Sequence, residues 1–154
     1  MIRGIHHTAI STPDLERAVT FYRDLLGFEQ VFTSAWGRGT ETADKITGLK
    51  NSAARVVMLK AGNACIELFE YSNPEPKTGS LSRPVCDHGI THLCLEVRDI
   101  EAEYHRLKAA GMVFHCPPQK MGGVSATYGR DPDGNVVELL EVNNPDNPMA
   151  LNLG

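Results

Sequence analysis

The chain has 154 residues, with 15 basic and 19 acidic side chains and a formal net charge of −4. That length suits one compact domain, or two small modules sharing a core, and is enough to enclose a cavity. The charge balance supplies no basic field, which excludes nucleic acid and anionic membrane as default partners and leaves a small molecule as the expected ligand.

The first strand is expected over residues 4–11, closed by a helix start in which Thr12 is the N-cap, Pro13 occupies the first helical position, and Asp14 and Glu16 lie near the positive end. Apolar residues at three-and-four spacing carry this helix to about Leu26, where Gly27 stops it. A second strand follows at 28–33, then a long excursion over 34–53 with room for a short helix, then strands at 55–60 and 64–71 joined by Ala61-Gly62-Asn63. Residues 72–88, rich in proline, serine and charge, read as a linker. Beyond it come a strand at 89–97, a helix capped by Asp99 and ending at Gly111, a short strand at 112–115 and a glycine-containing loop at 117–123. A strand at 124–130, the turn Asp131-Pro132-Asp133-Gly134 and a last strand to Val142 complete the pattern. Residues 143–154 read as a tail that a partner chain would order. Residues 1–142 thus form a single domain of two β-α-β-β-β modules, 1–71 and 89–142.

No apolar run approaches a membrane span, and the start, MIRGIHHTAI, lacks the charged and apolar regions of a signal peptide, so a cytoplasmic protein is expected. In that compartment Cys65, Cys86, Cys94 and Cys116, which form no CxxC pair, read as reduced thiols.

The modules repeat one another in sequence. GIHHTAISTPDLE at 4–16 returns as GITHLCLEVRDIE at 89–101, with His7 and His92 each third after its glycine. ACIELFEY at 64–71 returns as NVVELLEV at 135–142, with Glu67 and Glu138 between apolar neighbours and a second acid three residues on. Strand parity places each of these four residues in a mainly apolar row, where an ionisable side chain is costly without a partner. One divalent cation is that partner, because two carboxylates neutralise it and imidazole suits Zn, Ni, Co, Mn or Fe alike. If the ion is octahedral, four protein ligands leave two adjacent positions, which can chelate neighbouring oxygens of a substrate.

At these residues the chain resembles the vicinal oxygen chelate superfamily, which holds glyoxalase I, methylmalonyl-CoA epimerase, extradiol dioxygenases, fosfomycin-resistance enzymes and bleomycin-resistance proteins. The motifs are HHTAISTPDLERAVTFYRDLLGF, CIELFEY, GITHLCLEV and the closing DPDGNVVEL. The resemblance implies an α+β fold of paired βαβββ modules forming an open, eight-stranded barrel around one metal, often in a homodimer. It also implies that His7, Glu67, His92 and Glu138 are the metal ligands, with His7 taken over His6 because it aligns with His92.

The implied chemistry is that of an isomerase or lyase, glyoxalase I-like or epimerase-like, in which Glu67 or Glu138 moves a proton beside a carbonyl through a metal-stabilised enolate. The two carboxylates sit in similar places, and the sequence does not say which is the base. An extradiol-type dioxygenase on ferrous iron would use two histidines and one carboxylate, and Glu67 crowds that arrangement. An antibiotic-binding module is disfavoured because such members commonly lack the ligands. Tyr128 and Arg130 share strand parity and are candidate substrate contacts, and Trp36 with the loop at 117–123 could form a lid. Cys65 and Cys94 read as small fillers. His88, His105 and His115 have no symmetric counterpart and no assigned role.

Overall fold

The structure is a computed structural model that describes residues 1–144 and 146–152. The chain divides between Thr78 and Gly79 into two compact units.

The first unit runs β1 (His7–Ser11), α1 (Leu15–Val19), a π-helical continuation (Thr20–Leu25), β2 (Glu29–Trp36), α2 (Glu41–Thr47), β3 (Ala53–Ala61) and β4 (Ala64–Asn73). Its sheet has the order β1-β4-β3-β2, with β1 parallel to β4 and the other neighbours antiparallel. Residues on one face of this sheet, Ile10, Val57, Leu59, Ile66 and Leu68, are buried together with Leu15, Ala18, Val19, Phe21 and Tyr22 of the helix. This is the expected amphipathic helix on a sheet, and it leaves the opposite face of the sheet for the site.

The helix begins two residues later than the sequence predicts. Thr12 donates its N–H to Phe69 O at 2.8 Å and so prolongs the β1–β4 ladder instead of capping the helix. Asp14 takes the N-cap position, accepting from Arg17 N at 3.0 Å, while the buried Thr12 hydroxyl accepts from Asp14 N at 3.2 Å and steadies the turn. The helix closes with Leu26 N donating to Phe21 O and Gly27 N to Arg23 O, and Gly27 takes the left-handed conformation (φ 80°) expected of the stop.

The second unit contains β5 (Leu93–Glu96), α3 (Ile100–Ala109), β6 (Val113–Phe114), β7 (Gln119–Met121), β8 (Val124–Arg130) and β9 (Val136–Val142). Its sheet has the order β5-β9-β8-β6, with β7 also paired to β8. Val137 and Leu139 of β9 are buried, as are Ile100, Tyr104 and Leu107 of α3. Asp99 caps α3, as expected, through Ala102 N. The strand expected at 89–97 is shorter, Leu93–Glu96, and the Ile90 carbonyl before it accepts from Arg83 at 2.6 Å.

The region read as a loop at 117–123 is a β-hairpin. β7 and β8 are joined through Gly122 and Gly123, both with positive φ (57° and 90°), as a two-residue primed turn requires. The described residues therefore hold nine strands, four in one sheet and five in the other, where eight were expected. The mixed α+β class and the order of elements within each unit are otherwise as the sequence predicts.

Before β9, the Asp131 carboxylate accepts from Asp133 N, Asn135 N and Asn135 Nδ2 at 2.8–2.9 Å. Gly134 (φ 83°) lies against the Leu81 backbone with no room for a Cβ. Beyond β9, Leu151 N donates to Glu96 Oε2 at 2.8 Å within the same unit. No helix among the described residues is long and apolar enough to cross a membrane.

Leu68 has no solvent exposure, so shortening its side chain would leave a cavity in the core beneath the helix. Leu68→Ala should lower the unfolding free energy by about 2–5 kcal/mol in chemical denaturation.

Candidate metal centre

In the first unit, β1 and β4 run parallel with His7 opposite Cys65, so the His7 ring lies diagonal to Glu67 on the same face. His7 Nε2 stands 3.2 Å from Glu67 Oε2. The ring that meets the carboxylate is that of His7, and a hydrogen bond of 2.8 Å between the Nδ1 atoms of His6 and His7 holds it on its other side. The side chains of His7 and Glu67 retain 37% and 19% exposure, which leaves the pair open to a ligand from solvent.

The second unit builds the same pair from the same strands. β5 and β9 are parallel, with Leu93 opposite Val137 and Cys94 opposite Glu138. His92, one residue before Leu93, places Nε2 3.0 Å from Glu138 Oε2. Its Nδ1 is held at 2.8 Å by the Thr91 hydroxyl, which fixes the ring with Nε2 toward the carboxylate.

In both units imidazole Nε2 and a carboxylate oxygen lie at the separation of two adjacent ligands on one octahedral ion, about 3 Å for bonds near 2.1 Å. Each pair, one imidazole and one carboxylate, is of a donor type that suits a divalent transition metal. Within either unit, among the described residues, the cluster stops at two, and neither holds three or more His, Cys, Asp or Glu side chains grouped for a metal.

The second acid of each repeat also has a structural account. Glu70 Oε1 accepts from Leu15 N at 3.3 Å and Glu141 Oε1 accepts from Asp99 N at 2.7 Å, so each closing strand carries one glutamate toward the site and one to the start of its helix. Glu70 also pairs with Arg55, whose guanidinium reaches on to Glu16 at 2.6 Å. Hydrogen bonds to these two carboxylates hold the Arg55 pKa above its ordinary value.

The surroundings of the two pairs differ. Glu67 faces Met58 across the ladder, whereas Glu138 faces Tyr128. The Tyr128 ring centroid lies 4.9 Å from that of His92 and 6.1 Å from that of His115, so Tyr128 stands beside the pair, with His115 as its other ring contact. Burial, then the charge of Glu138, raises the Tyr128 pKa. Arg130 shares the strand and donates to Gly134 O at 2.7 Å and Arg83 O at 2.9 Å, which ties it to the backbone of the turn and of the segment before β5. The Cys94 thiol, opposite Glu138, is pushed up to about 12 by desolvation first and then by the Glu138 charge, although part of its side chain remains open to solvent.

Trp36 lies on the Glu67 face of the first sheet, within an aromatic cluster that sequence reasoning did not assemble. Phe69 and Tyr71 stack with centroids 5.5 Å apart, and Trp36 meets them edge-on at 6.1 and 6.0 Å. The signal was available in strand parity, since Phe69 and Tyr71 follow Glu67 at two and four residues. Burial, then the Glu67 charge, raises the Tyr71 pKa, which places the phenol within reach of the pair's field.

A family model described as Glyoxalase/Bleomycin resistance protein/Dioxygenase superfamily matches residues 4–139. The chain is 32% identical over 147 residues to a 2-epi-5-epi-valiolone epimerase from an Actinomyces species, covering 90% of this chain and 79% of that protein. It is 33% identical over 148 residues to an ethylmalonyl-CoA/methylmalonyl-CoA epimerase from Cereibacter sphaeroides, covering 92% of this chain and all of the relative. Among solved structures, a glyoxalase-family protein from Bacillus cereus superposes with a TM-score of 0.82 at 22% identity, covering 92% of this chain and 95% of that one.

If the Glu138 charge helps to keep the Cys94 thiol protonated, Glu138→Gln should lower the thiol pKa and hasten its alkylation. Peptide mapping after iodoacetamide treatment of metal-free protein at pH 8.5 should show Cys94 reacting slowly in the parent chain and severalfold faster in the variant.

Proposed function

The chain belongs to the glyoxalase/bleomycin resistance protein/dioxygenase superfamily, and we propose that it is a divalent-metal-dependent isomerase or lyase. Its reaction moves a proton beside a carbonyl of a small 2-oxo, hydroxyacyl or thioester compound. The observation that carries this reading is the repeated pair, His7 with Glu67 and His92 with Glu138, each with Nε2 turned to a carboxylate oxygen at 3.0–3.2 Å. The relatives named as epimerases support the same class.

In this reading the four side chains are the ligands of one ion, and the chain works as a homodimer. A bound divalent ion supplies Lewis-acid stabilisation of negative charge developing on two neighbouring substrate oxygens. The protein's own groups do the remaining work. The orientation of the His7 and His92 rings is set by His6 and Thr91. Glu67 or Glu138 takes the proton from the carbon next to the carbonyl; in an isomerase it returns the proton to the neighbouring carbon, and in an epimerase the other carboxylate, protonated, delivers one to the opposite face. Tyr128 offers a hydrogen bond to substrate from beside His92. The retention of both carboxylates favours this chemistry over oxygen insertion, which would use three protein ligands and leave more positions open.

The test is solvent exchange. Metal-loaded protein in deuterated water should place deuterium on the reacting carbon of methylmalonyl-CoA or of the glutathione hemithioacetal of methylglyoxal. Glu67→Gln and Glu138→Gln should separate the carboxylates, with the rate falling by about two to four powers of ten for the one that is the base. Full exchange in both variants, or oxygen uptake with a catechol in place of exchange, would reject the proposal.

A further inference from the structure

Trp36 is the chain's single tryptophan, and the way it is held points to the substrate. Its indole N–H donates to Ser52 Oγ at 3.0 Å, and that hydroxyl donates to Asp44 Oδ1 at 2.6 Å. The same carboxylate accepts from Asn51 N and Ser52 N, both at 2.7 Å. Ser52 is fully buried, and Asp44 belongs to α2, the short helix of the excursion between β2 and β3. The excursion therefore fixes one aromatic ring in a set orientation by a three-residue relay.

That ring completes a wall on the face that carries the His7–Glu67 pair. Phe69 lies two residues beyond Glu67, about 7 Å along the strand, and Tyr71 the same distance further, stacked on it at an interplanar angle of 12°. All three rings remain half-buried, with apolar surface still open. An ordinary core packs aromatic rings out of contact with solvent, whereas here they stand partly exposed beside a candidate chelating pair. The second unit has no counterpart at these positions, since Leu140 and Val142 stand where Phe69 and Tyr71 do in the repeat.

We propose that the Trp36–Phe69–Tyr71 wall receives a flat, apolar substituent of the substrate, next to the atoms held at the His7–Glu67 pair, and that Ser52 is a positioning residue that orients Trp36. This rests on the metal-dependent reading above and narrows it to vicinal-oxygen compounds that carry a ring or similarly flat group.

Mandelate and lactate present the same two neighbouring oxygens, with and without a phenyl ring. Their affinities for zinc-loaded and zinc-free protein should be measured by calorimetry, with Trp36 emission recorded alongside and zinc content assayed on the same samples. Mandelate should bind zinc-loaded protein at least about tenfold more tightly than lactate and should shift or quench the Trp36 emission. Ser52→Ala should weaken mandelate and leave lactate unchanged, whereas a purely structural role for Ser52 would weaken both or neither. Equal affinities, failure of both acids to bind, or mandelate binding with no change in Trp36 emission would overturn the wall. A mandelate preference that is the same without zinc would keep the wall and remove the metal reading, so the two failures are distinguishable.

Discussion

Everything at the site depends on the parallel pairing of the first and last strands of each module. In the first, His7 stands opposite Cys65, two residues before Glu67; in the second, Leu93 stands opposite Val137, which puts His92 level with Val136, two residues before Glu138. The same diagonal offset brings Nε2 to a carboxylate oxygen twice. A slip of one residue in either ladder would turn the glutamate into the helix-facing core and Leu68 or Leu139 toward the site. Burying an unpaired carboxylate there is costly enough to forbid that register. Parallel neighbours cannot be joined by a hairpin, so each module must return through a crossover containing its helix. The second glutamate of the closing strand, Glu70 or Glu141, ties the start of that helix to the strand that carries the site.

Around this shared frame the modules have diverged. The residue opposite Glu67 is Met58, and the residue opposite Glu138 is Tyr128. Thr91 fixes His92 through a hydroxyl, while His6 fixes His7 through a second imidazole. The aromatic wall and the relay that orients Trp36 belong to the first module. The same His–Glu pair is thus repeated in unlike surroundings.

Much of this was legible in the sequence, because the repeat and strand parity report directly on register. His7 was separable from His6 by its match to His92, and the structure turns His7 to the carboxylate. What escaped were features decided by competition for backbone groups. Thr12 reads as an N-cap, but its amide is held by Phe69 O and the cap falls to Asp14. Residues 89–92 continue a strand pattern, but β5 begins at Leu93, and the Ile90 carbonyl accepts from Arg83. Gly122-Gly123 carried a hairpin signal that the surrounding prolines and polar residues obscured. The contacts of the Arg130 guanidinium with the Gly134 and Arg83 carbonyls join it to a turn and a distant segment that strand parity does not report. The Asp44–Ser52–Trp36 relay joins residues 8 and 16 positions apart across an irregular excursion, where no periodicity exists to reveal it.

The central claim is that the two His–Glu pairs are ligands of a metal ion, and metal content measures it most directly. Protein purified under low oxygen, without added metal or chelator, should be assayed by elemental analysis beside the His92→Ala variant. The account predicts one tightly held divalent ion per chain, lost in the variant while its circular dichroism stays that of the parent. No bound metal, even after reconstitution with nickel, cobalt, zinc, manganese and ferrous ions in turn, would contradict it.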